Sequence, residues 1–368
     1  MLAIYRKYRP KLLGDLLGQE DIVAVLKNAA KKNKLAHAYL FSGPRGTGKT
    51  TAARLIAKIA NCITRAEKPA FHSTGEPCNK CARCQAIDQG RALDVIEIDA
   101  ASNRGIDEIR DLQESVRLSP TSFPYKVFII DEAHMLTGPA FNALLKTLEE
   151  PPAHAIFILA TTEYEKIPAT ISSRSQKYRF RKLAINDIIN KLKKIVAAEK
   201  LKIDGDALEL IAAAAEGSLR DAESLLDQIT SLEEGVTVEA VEKIIGKTGA
   251  LLTGQLAGLI LTSDLPKTLD TLAKINDQGY NLVDLTKELI HYFRRAISLK
   301  SDPELENVFK RELTTKELEQ LKKHSELIDL HKHVPLLRSL IRAYSEMRYS
   351  PFAIVPLEIA LIENLVKK

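Results

Sequence analysis

The sequence holds a few sets of residues whose types and spacing can do chemistry. The first is Gly43-Pro44-Arg45-Gly46-Thr47-Gly48-Lys49-Thr50, followed by Thr51. It fits the phosphate-binding loop pattern G-x-x-x-x-G-K-[ST]. An apolar run, Ala38–Phe41, leads into the loop, and a helix-forming run, Thr51–Ala60, leaves it. Glycines let the backbone turn tightly enough for successive N–H groups and the positive end of the new helix to face one anion. Lys49 can then reach the β- and γ-phosphates of a nucleoside triphosphate, and the Thr50 hydroxyl can ligate Mg²⁺.

The second set ends the apolar run Tyr125–Ile130 with Asp131-Glu132. This is the Walker B pattern of a buried parallel strand. Asp131 is expected in the Mg²⁺ shell, often through water, and Glu132 to polarise the attacking water as general base. Two acids could merely solvate a strand end, but their place downstream of a phosphate loop favours the catalytic reading. A further apolar run, Ala155–Ala160, ends in Thr161-Thr162. A polar side chain beside Walker B can touch both the γ-phosphate and the attacking water.

The third set is Cys62, Cys78, Cys81 and Cys84, the only cysteines in the chain. Three thiolates at x2 spacing can converge on one ion from a tight knuckle, and Cys62 can supply the fourth tetrahedral ligand. The alternative is four unpaired thiols. Four protein ligands leave no open position for water, so the site is expected to hold structural Zn²⁺.

Several cations complete the inventory. Arg104 and Arg110 flank a turn after the expected strand Ala92–Ile98, where they can hold a nucleic-acid phosphate or simply be solvated. Arg220 in Gly217-Ser218-Leu219-Arg220 sits in the first turn of a helix, facing the positive end of the dipole. It can point at a phosphate or into solvent. Tyr8-Arg9-Pro10 lies in a basic opening segment that reads as a surface arm or as a lid over a nucleotide base, with Tyr8 and Pro10 supplying apolar contact.

The elements needed to position these residues follow from periodicity. An amphipathic helix is expected from Asp21 to about Lys32, with Ile22, Val25, Leu26 and Ala29 on one face. The helix Gly138–Glu149 must stop at Pro151-Pro152, and a short strand follows at Lys177–Phe180. Strands and helices alternate to this point, which predicts a mostly parallel sheet between helices. Beyond Arg181 the pattern is helical, at Ile185–Glu199, Asp206–Glu216, Leu219–Ser231 and Thr237–Ile244, and again over 248–368. The charged stretch Lys310–Lys323 reads as a solvated face.

Composition sets the bounds. The 368 residues are 45% hydrophobic and 27% charged, with a net charge of +5. That is a globular composition, mildly basic and compatible with a nucleic-acid partner. No apolar run reaches a membrane span and the N-terminus has no signal-peptide core, which makes the cytoplasm the default compartment.

Taken together, the phosphate loop, Asp131-Glu132, Thr161-Thr162, Ser173-Arg174 and Arg220 resemble those of an AAA+ ATPase. More narrowly, the chain is similar to the tau/gamma subunits of bacterial DNA polymerase III clamp loaders. The likeness is carried by Tyr8-Arg9-Pro10, Gly18-Gln19-Glu20, His37–Phe41, the loop with its cysteine module, Asp99-Ala100-Ala101-Ser102, Asp131-Glu132-Ala133-His134, Leu144–Pro152 and Gly217–Asp221. It is dense over roughly 1–245 and weak beyond.

The resemblance implies an α/β P-loop AAA+ domain at 1–180 with a zinc module at 62–84, a helical lid at 181–247 and a helical collar or oligomerisation domain at 248–368. It implies that Thr162, alone or with Thr161, is sensor 1 and that Arg220 is sensor 2. Arg174 would be an arginine finger acting on ATP held by a neighbouring subunit, and Arg110 would touch template phosphates. The implied cofactors are ATP, Mg²⁺ and structural Zn²⁺. The implied partners are delta- and delta-prime-like subunits, further copies of the chain, a sliding clamp and primed DNA, with no membrane. The finger reads Ser173-Arg174-Ser175 where the family usually has Ser-Arg-Cys, but the guanidinium is kept. The long tau extension is absent, which implies a gamma-like form or a truncated tau. A non-hydrolysing delta-prime-like scaffold and an AAA+ DNA motor are the competing readings. Intact Lys49, Glu132 and Arg220 argue against the first, and the cysteine module against the second.

Overall fold

The structure, a computed structural model, describes residues 3–103, 105–231, 238, 241, 249–310, 312–347 and 349–366. The chain divides into two compact units, 1–183 with 217–224, and 184–216 with 225–368.

The first unit is built on five parallel strands, β1 (Ala38–Ser42), β2 (Val95–Asp99), β3 (Lys126–Asp131), β4 (Ala155–Thr161) and β5 (Gln176–Arg179), in the order β2-β3-β4-β1-β5. β1 and β4 are buried at every position, because helices cover both faces of a parallel sheet and both strands lie inside it. β2, at the edge, is only partly covered. Leu40, Phe128, Ile130, Phe157 and Leu159 face one helical layer, and Tyr39, Phe41, Val127, Ile129 and Ile158 the other. That alternation follows from successive side chains pointing to opposite faces.

Helices of this unit include α1 (Ile4–Lys7), α2 (Glu20–Lys31), α3 (Lys49–Asn61), the short α4 (Ile63–Glu67) and α5 (Pro69–His72), α6 (Ala82–Asp88), α7 (Ile106–Arg117), α8 (Gly138–Glu149) and α9 (Ala169–Ser172). In α2 the buried residues are Ile22, Leu26 and Ala30, whereas Val25 is 52% exposed. The apolar face is therefore rotated from the expected Ile22-Val25-Leu26-Ala29 stripe. Spacings of three and four both fit a helix, and only packing selects between them.

The second unit is helical. α10 (Ile185–Glu199) and α11 (Gly205–Ala214) bury Ile188, Leu192, Ile195, Leu208 and Ile211. α12 (Leu219–Thr230) begins in the first unit and continues in this one. The expected helix Thr237–Ile244 lies outside the described residues except at Val238 and Val241. Next come α13 (Gly249–Leu261), α14 (Leu265–Asp277), α15 (Leu282–Ser301), α16 (Glu306–Phe309), α17 (Thr315–Glu326), α18 (Leu330–Met347) and α19 (Ile354–Leu365). Their core gathers Leu256, Ile260, Leu272, Leu289, Phe293, Leu336, Leu340 and Leu361. The charged stretch 310–323 contributes Leu318 and Leu321 to that core, so only part of it is a solvated face. Among the described residues no helix is long and apolar enough to cross a membrane.

Candidate nucleotide-binding and metal site

The phosphate loop joins the end of β1 to the start of α3, and its geometry depends on glycine. Gly48 caps α3 at φ 102°, and Gly46 sits at φ 71° with an added Cβ only 1.9 Å from Ser218 Oγ. Both conformations lie in the left-handed region that a side chain disfavours. Gly46→Ala would press its new methyl group against the segment that carries Arg220. The expected result is roughly tenfold or more weaker ATP binding, given a strained backbone plus displacement of Ser218. Titration with a fluorescent ATP analogue checks this, and unchanged affinity would show that loop and Ser218 separate at no cost.

Lys49 is 6% exposed, and its Nζ donates to the carbonyl oxygens of Gly43 (2.7 Å) and Pro44 (2.8 Å). Burial lowers its pKa below the ordinary lysine value, opposed by Glu132 and Asp131. Thr50 Oγ1 donates to Asp131 Oδ2 at 2.7 Å. The two side chains expected to share Mg²⁺ thus already meet, and hydroxyl plus carboxylate is an oxygen donor pair suited to that hard cation.

Glu132, the next residue, has φ 47°, an uncommon conformation for a non-glycine residue that turns its carboxylate out of the line of β3. Its Oε2 accepts from the Thr162 hydroxyl (2.9 Å) and N–H (3.3 Å). Thr161 is fully buried, and its Oγ1 instead contacts His134 Nδ1 at 3.1 Å. The pair therefore splits, with Thr162 touching Glu132 directly and Thr161 reaching it only through His134.

Lys49, Thr50, Asp131 and Glu132 border a cleft of about 880 Å³, open mouth included, whereas Thr161 and Thr162 do not line it and Thr162 touches it only through Glu132. Its walls include Arg45–Thr51, Asp131, Glu132, Arg9, Pro10, Leu16, Leu17 and Arg220. Gly43 and Pro44 take part through their carbonyls. Tyr8 does not line the cleft. Tyr5 does, one helical turn earlier, with the exposed Arg220 guanidinium 5.2 Å from its ring centre. No sequence signal separates the two tyrosines, because residues three apart lie on the same helical face. Burial holds Arg9 below its ordinary pKa, assisted by Arg54 and Arg220. Crowded cations of this kind are relieved by a bound anion.

Arg174 lies elsewhere, in an open hollow with Lys34, His37, Glu149 and Gln176. It ion-pairs with Glu149 and donates to the Thr170 carbonyl at 2.7 Å. Arg110 is exposed and paired with Asp107 at 3.2 Å, in a first helical turn that also carries Glu108. Asp99 already occupies the preceding turn by accepting Ala101 N–H at 2.9 Å. Arg104 lies outside the described residues.

The four cysteine Sγ atoms all lie within 4.8 Å of one another. A tetrahedral ion with Zn–S near 2.3 Å needs sulfurs about 3.8 Å apart, and Cys78 and Cys84 stand at 4.0 Å. Backbone N–H groups of Lys80 (3.4 Å) and Cys81 (3.3 Å) point at Cys78 Sγ, and that of Cys78 points at Cys62 Sγ (3.5 Å). Such donors stabilise thiolates. The Cys84 thiol hydrogen bond, opposed by burial, holds the Cys62 thiol below its ordinary value. The donor set fits a Cys₄ metal centre.

The module is tied to the rest of its unit by a residue that the sequence did not single out. Glu76, 8% exposed, accepts from Leu13 N–H (2.7 Å) and Gly14 N–H (3.0 Å) and pairs with Lys27 (2.7 Å). It thereby fixes the turn that leads into Leu16 and Leu17 on the cleft wall.

Comparison with known proteins agrees in sequence along the chain. Residues 18–184 match the domain family described as DNA polymerase III, delta subunit. Residues 187–232 match the DNA polymerase III clamp loader subunit, ATPase lid domain, and 236–367 match domain III of DNA polymerase III subunits gamma and tau. The chain is 44% identical over 362 residues to DNA polymerase III subunit tau of Bacillus subtilis, covering 98% of this chain and 62% of that protein. It is 43% identical over 289 residues to subunit gamma/tau of Mycoplasma pneumoniae, covering 78% and 41%. To subunit gamma of Buchnera aphidicola from Schizaphis graminum it is 35% identical over 363 residues, covering 98% and 97%. The chain thus spans only part of the length of the first two relatives.

Proposed function

The chain belongs to the gamma/tau family of DNA polymerase III subunits, and from that premise we propose that it is an ATP-hydrolysing clamp-loader subunit. In this reading it works in the cytoplasm with delta- and delta-prime-like subunits and further copies of itself. Together they open a ring-shaped sliding clamp and leave it on primed DNA. Residues 1–180 form the AAA+ nucleotide-binding domain, 181–247 the lid and 248–368 the collar. The matched boundaries at 184 and 187 support the first division, and the domain III match begins at 236, twelve residues before the proposed collar.

The observation that carries the reading is the convergence of Lys49, the Thr50–Asp131 pair and Glu132 on one cleft. ATP would draw the Lys49 ammonium from the loop carbonyls to its phosphates. Thr50 and Asp131 would hold Mg²⁺, which neutralises charge on the phosphates. Glu132 would take the proton from the attacking water, and Thr162 would sense the γ-phosphate beside it. Arg220 would bind phosphate from the first turn of α12, leaving the Tyr5 ring. Arg174 would act on a neighbour's nucleotide, and Arg110 would meet template phosphates once released from Asp107. Cys62, Cys78, Cys81 and Cys84 would hold Zn²⁺ in a structural role, with no open position for chemistry.

The test is ATP hydrolysis by the chain alone, then with delta-like subunits, clamp and primed DNA added stepwise. Slow basal turnover that rises sharply when clamp and primed DNA are both present is the expected result. Glu132→Gln should then keep ATP binding and cut turnover by about 10²–10⁴, the range of a general base. Binding without turnover in every mixture would point to a scaffold, and stimulation by DNA indifferent to the clamp would point to a DNA motor.

A further inference from the structure

The polar contacts around Glu132 include one residue with no part in the mechanism above. His134 follows Glu132 by two positions, in the short turn Ala133–Met135, and its side chain is only 7% exposed. Its Nε2 stands 3.1 Å from Glu163 Oε1. A carboxylate only accepts, so that nitrogen carries a proton. Lys166 holds Glu163 below its ordinary pKa by a direct hydrogen bond, which keeps the acceptor ionised. The other ring nitrogen, Nδ1, stands 3.1 Å from Thr161 Oγ1 and 3.4 Å from Glu132 Oε2. Thr161 Oγ1 also accepts the Glu163 N–H at 3.0 Å, which ties the ends of the same contact chain together.

The ring therefore spans the ends of β3 and β4, and its fixed plane sets where Glu132 can lie. On the same carboxylate, Thr162 donates twice to Oε2. Among the described residues no hydrogen bond is made to Oε1. One oxygen is held and the other is left for water.

We infer that His134 is a positioning residue for Glu132: anchored on Glu163 and Thr161, with its Nδ1 edge standing against Glu132 Oε2, it fixes which carboxylate oxygen is presented to the attacking water. This rests on the hydrolytic reading above. In that reaction the water oxygen bonds to the γ-phosphorus as the bridging P–O bond to ADP breaks, and the water proton passes to Glu132 Oε1. A freely rotating carboxylate would spend most of its time misaligned, and misplacement of an ångström near a reacting centre is costly. Glu132 holds an unusual backbone conformation, so side-chain anchors are needed to define its direction.

The test compares steady-state ATP hydrolysis and nucleotide affinity for the unaltered chain and for H134A, H134N, H134Q and E163Q, each in the full assembly with clamp and primed DNA. Asparagine places its amide where Nδ1 stands, and glutamine where Nε2 stands. H134A is expected to lower kcat about tenfold or more with KM and ATP affinity unchanged, the signature of a lost orienting contact. H134N should recover most of that loss and H134Q less, because Nδ1 is the atom beside Glu132. E163Q changes a half-exposed residue and spares the fold, so it should lower kcat by a few-fold. Unchanged kcat in H134A would overturn the inference. So would equal losses in all three His134 variants accompanied by lower melting temperatures, which would make the residue merely structural. If the unaltered assembly binds ATP but never turns it over, the hydrolytic reading itself fails and the inference with it.

Discussion

Arg174→Ala is expected to leave ATP binding intact and to lower turnover of the full assembly by ~10³–10⁵, the range of an arginine finger. Arg174 lies outside the cleft walls, so its removal touches no group that holds the nucleotide. Its guanidinium rests against Glu149 and the Thr170 carbonyl and is 34% exposed. An exposed ion pair of this kind is worth ~0–1 kcal/mol, so a neighbour's γ-phosphate can displace it and little folding stability is at stake. The check is single-turnover hydrolysis alongside equilibrium ATP binding. Mixing sharpens it, because an assembly combining Arg174→Ala copies with Glu132→Gln copies should regain activity wherever an intact finger faces an intact base. Near-normal turnover by the fully substituted assembly would remove the finger assignment.

Zinc removal is expected to unfold the module and, through Glu76, to weaken nucleotide binding. Structural zinc contributes apparent binding free energies of ~10–16 kcal/mol in isolated zinc-finger peptides. A metal-free module would leave a close cluster of thiols, Cys84 among them fully buried. The module holds its surroundings at several points. Lys58, 2% exposed, donates to Asn79 and Asp88, both at 2.7 Å, and Asn79 donates to the Lys11 carbonyl at 3.0 Å. Arg65 donates to the Ala30 carbonyl at 2.9 Å. With Glu76 on the Leu13–Gly14 backbone, these bonds connect the cysteine module to the turn before Leu16 and Leu17 of the cleft wall. Chelation or Cys84→Ala should therefore release one zinc per chain, lower the melting temperature and reduce ATP affinity, with Glu76→Gln reproducing only the last effect. Metal analysis by native mass spectrometry, melting curves and ATP titration read the three outcomes separately. A full zinc complement after Cys84→Ala, or unaltered ATP affinity after complete chelation, would refute the link.

The candidate chemistry was legible where it depends on neighbours in the chain. Gly46, Gly48, Lys49 and Thr50 lie on one turn between a strand and a helix, so their order dictates a phosphate cradle. Asp131 and Glu132 end an apolar strand, and three cysteines at x2 spacing make a knuckle, whatever surrounds them. The alternation of apolar runs likewise dictated a buried parallel sheet, because a strand covered on both faces needs apolar residues at every position.

Tertiary structure decided which of several equivalent local choices is used. Tyr5 and Tyr8 are both aromatic and three residues apart, and the walls of the cleft admit the first. Val25 and Ala30 both fit a helical stripe, and the layer beneath α2 takes Ala30. Thr161 and Thr162 both follow the apolar run of β4, and packing gives the first to His134 and only the second to Glu132 directly. Glu76 lay in no motif, and His134, Glu149 and Arg174 lay in motifs that did not show their contacts, because their partners are far away in sequence or are backbone groups. A sequence specifies what each segment can do through residues one turn or one pleat apart. Which oxygen faces water, and which carboxylate holds a distant turn, depends on contacts that exist only once the segments are packed.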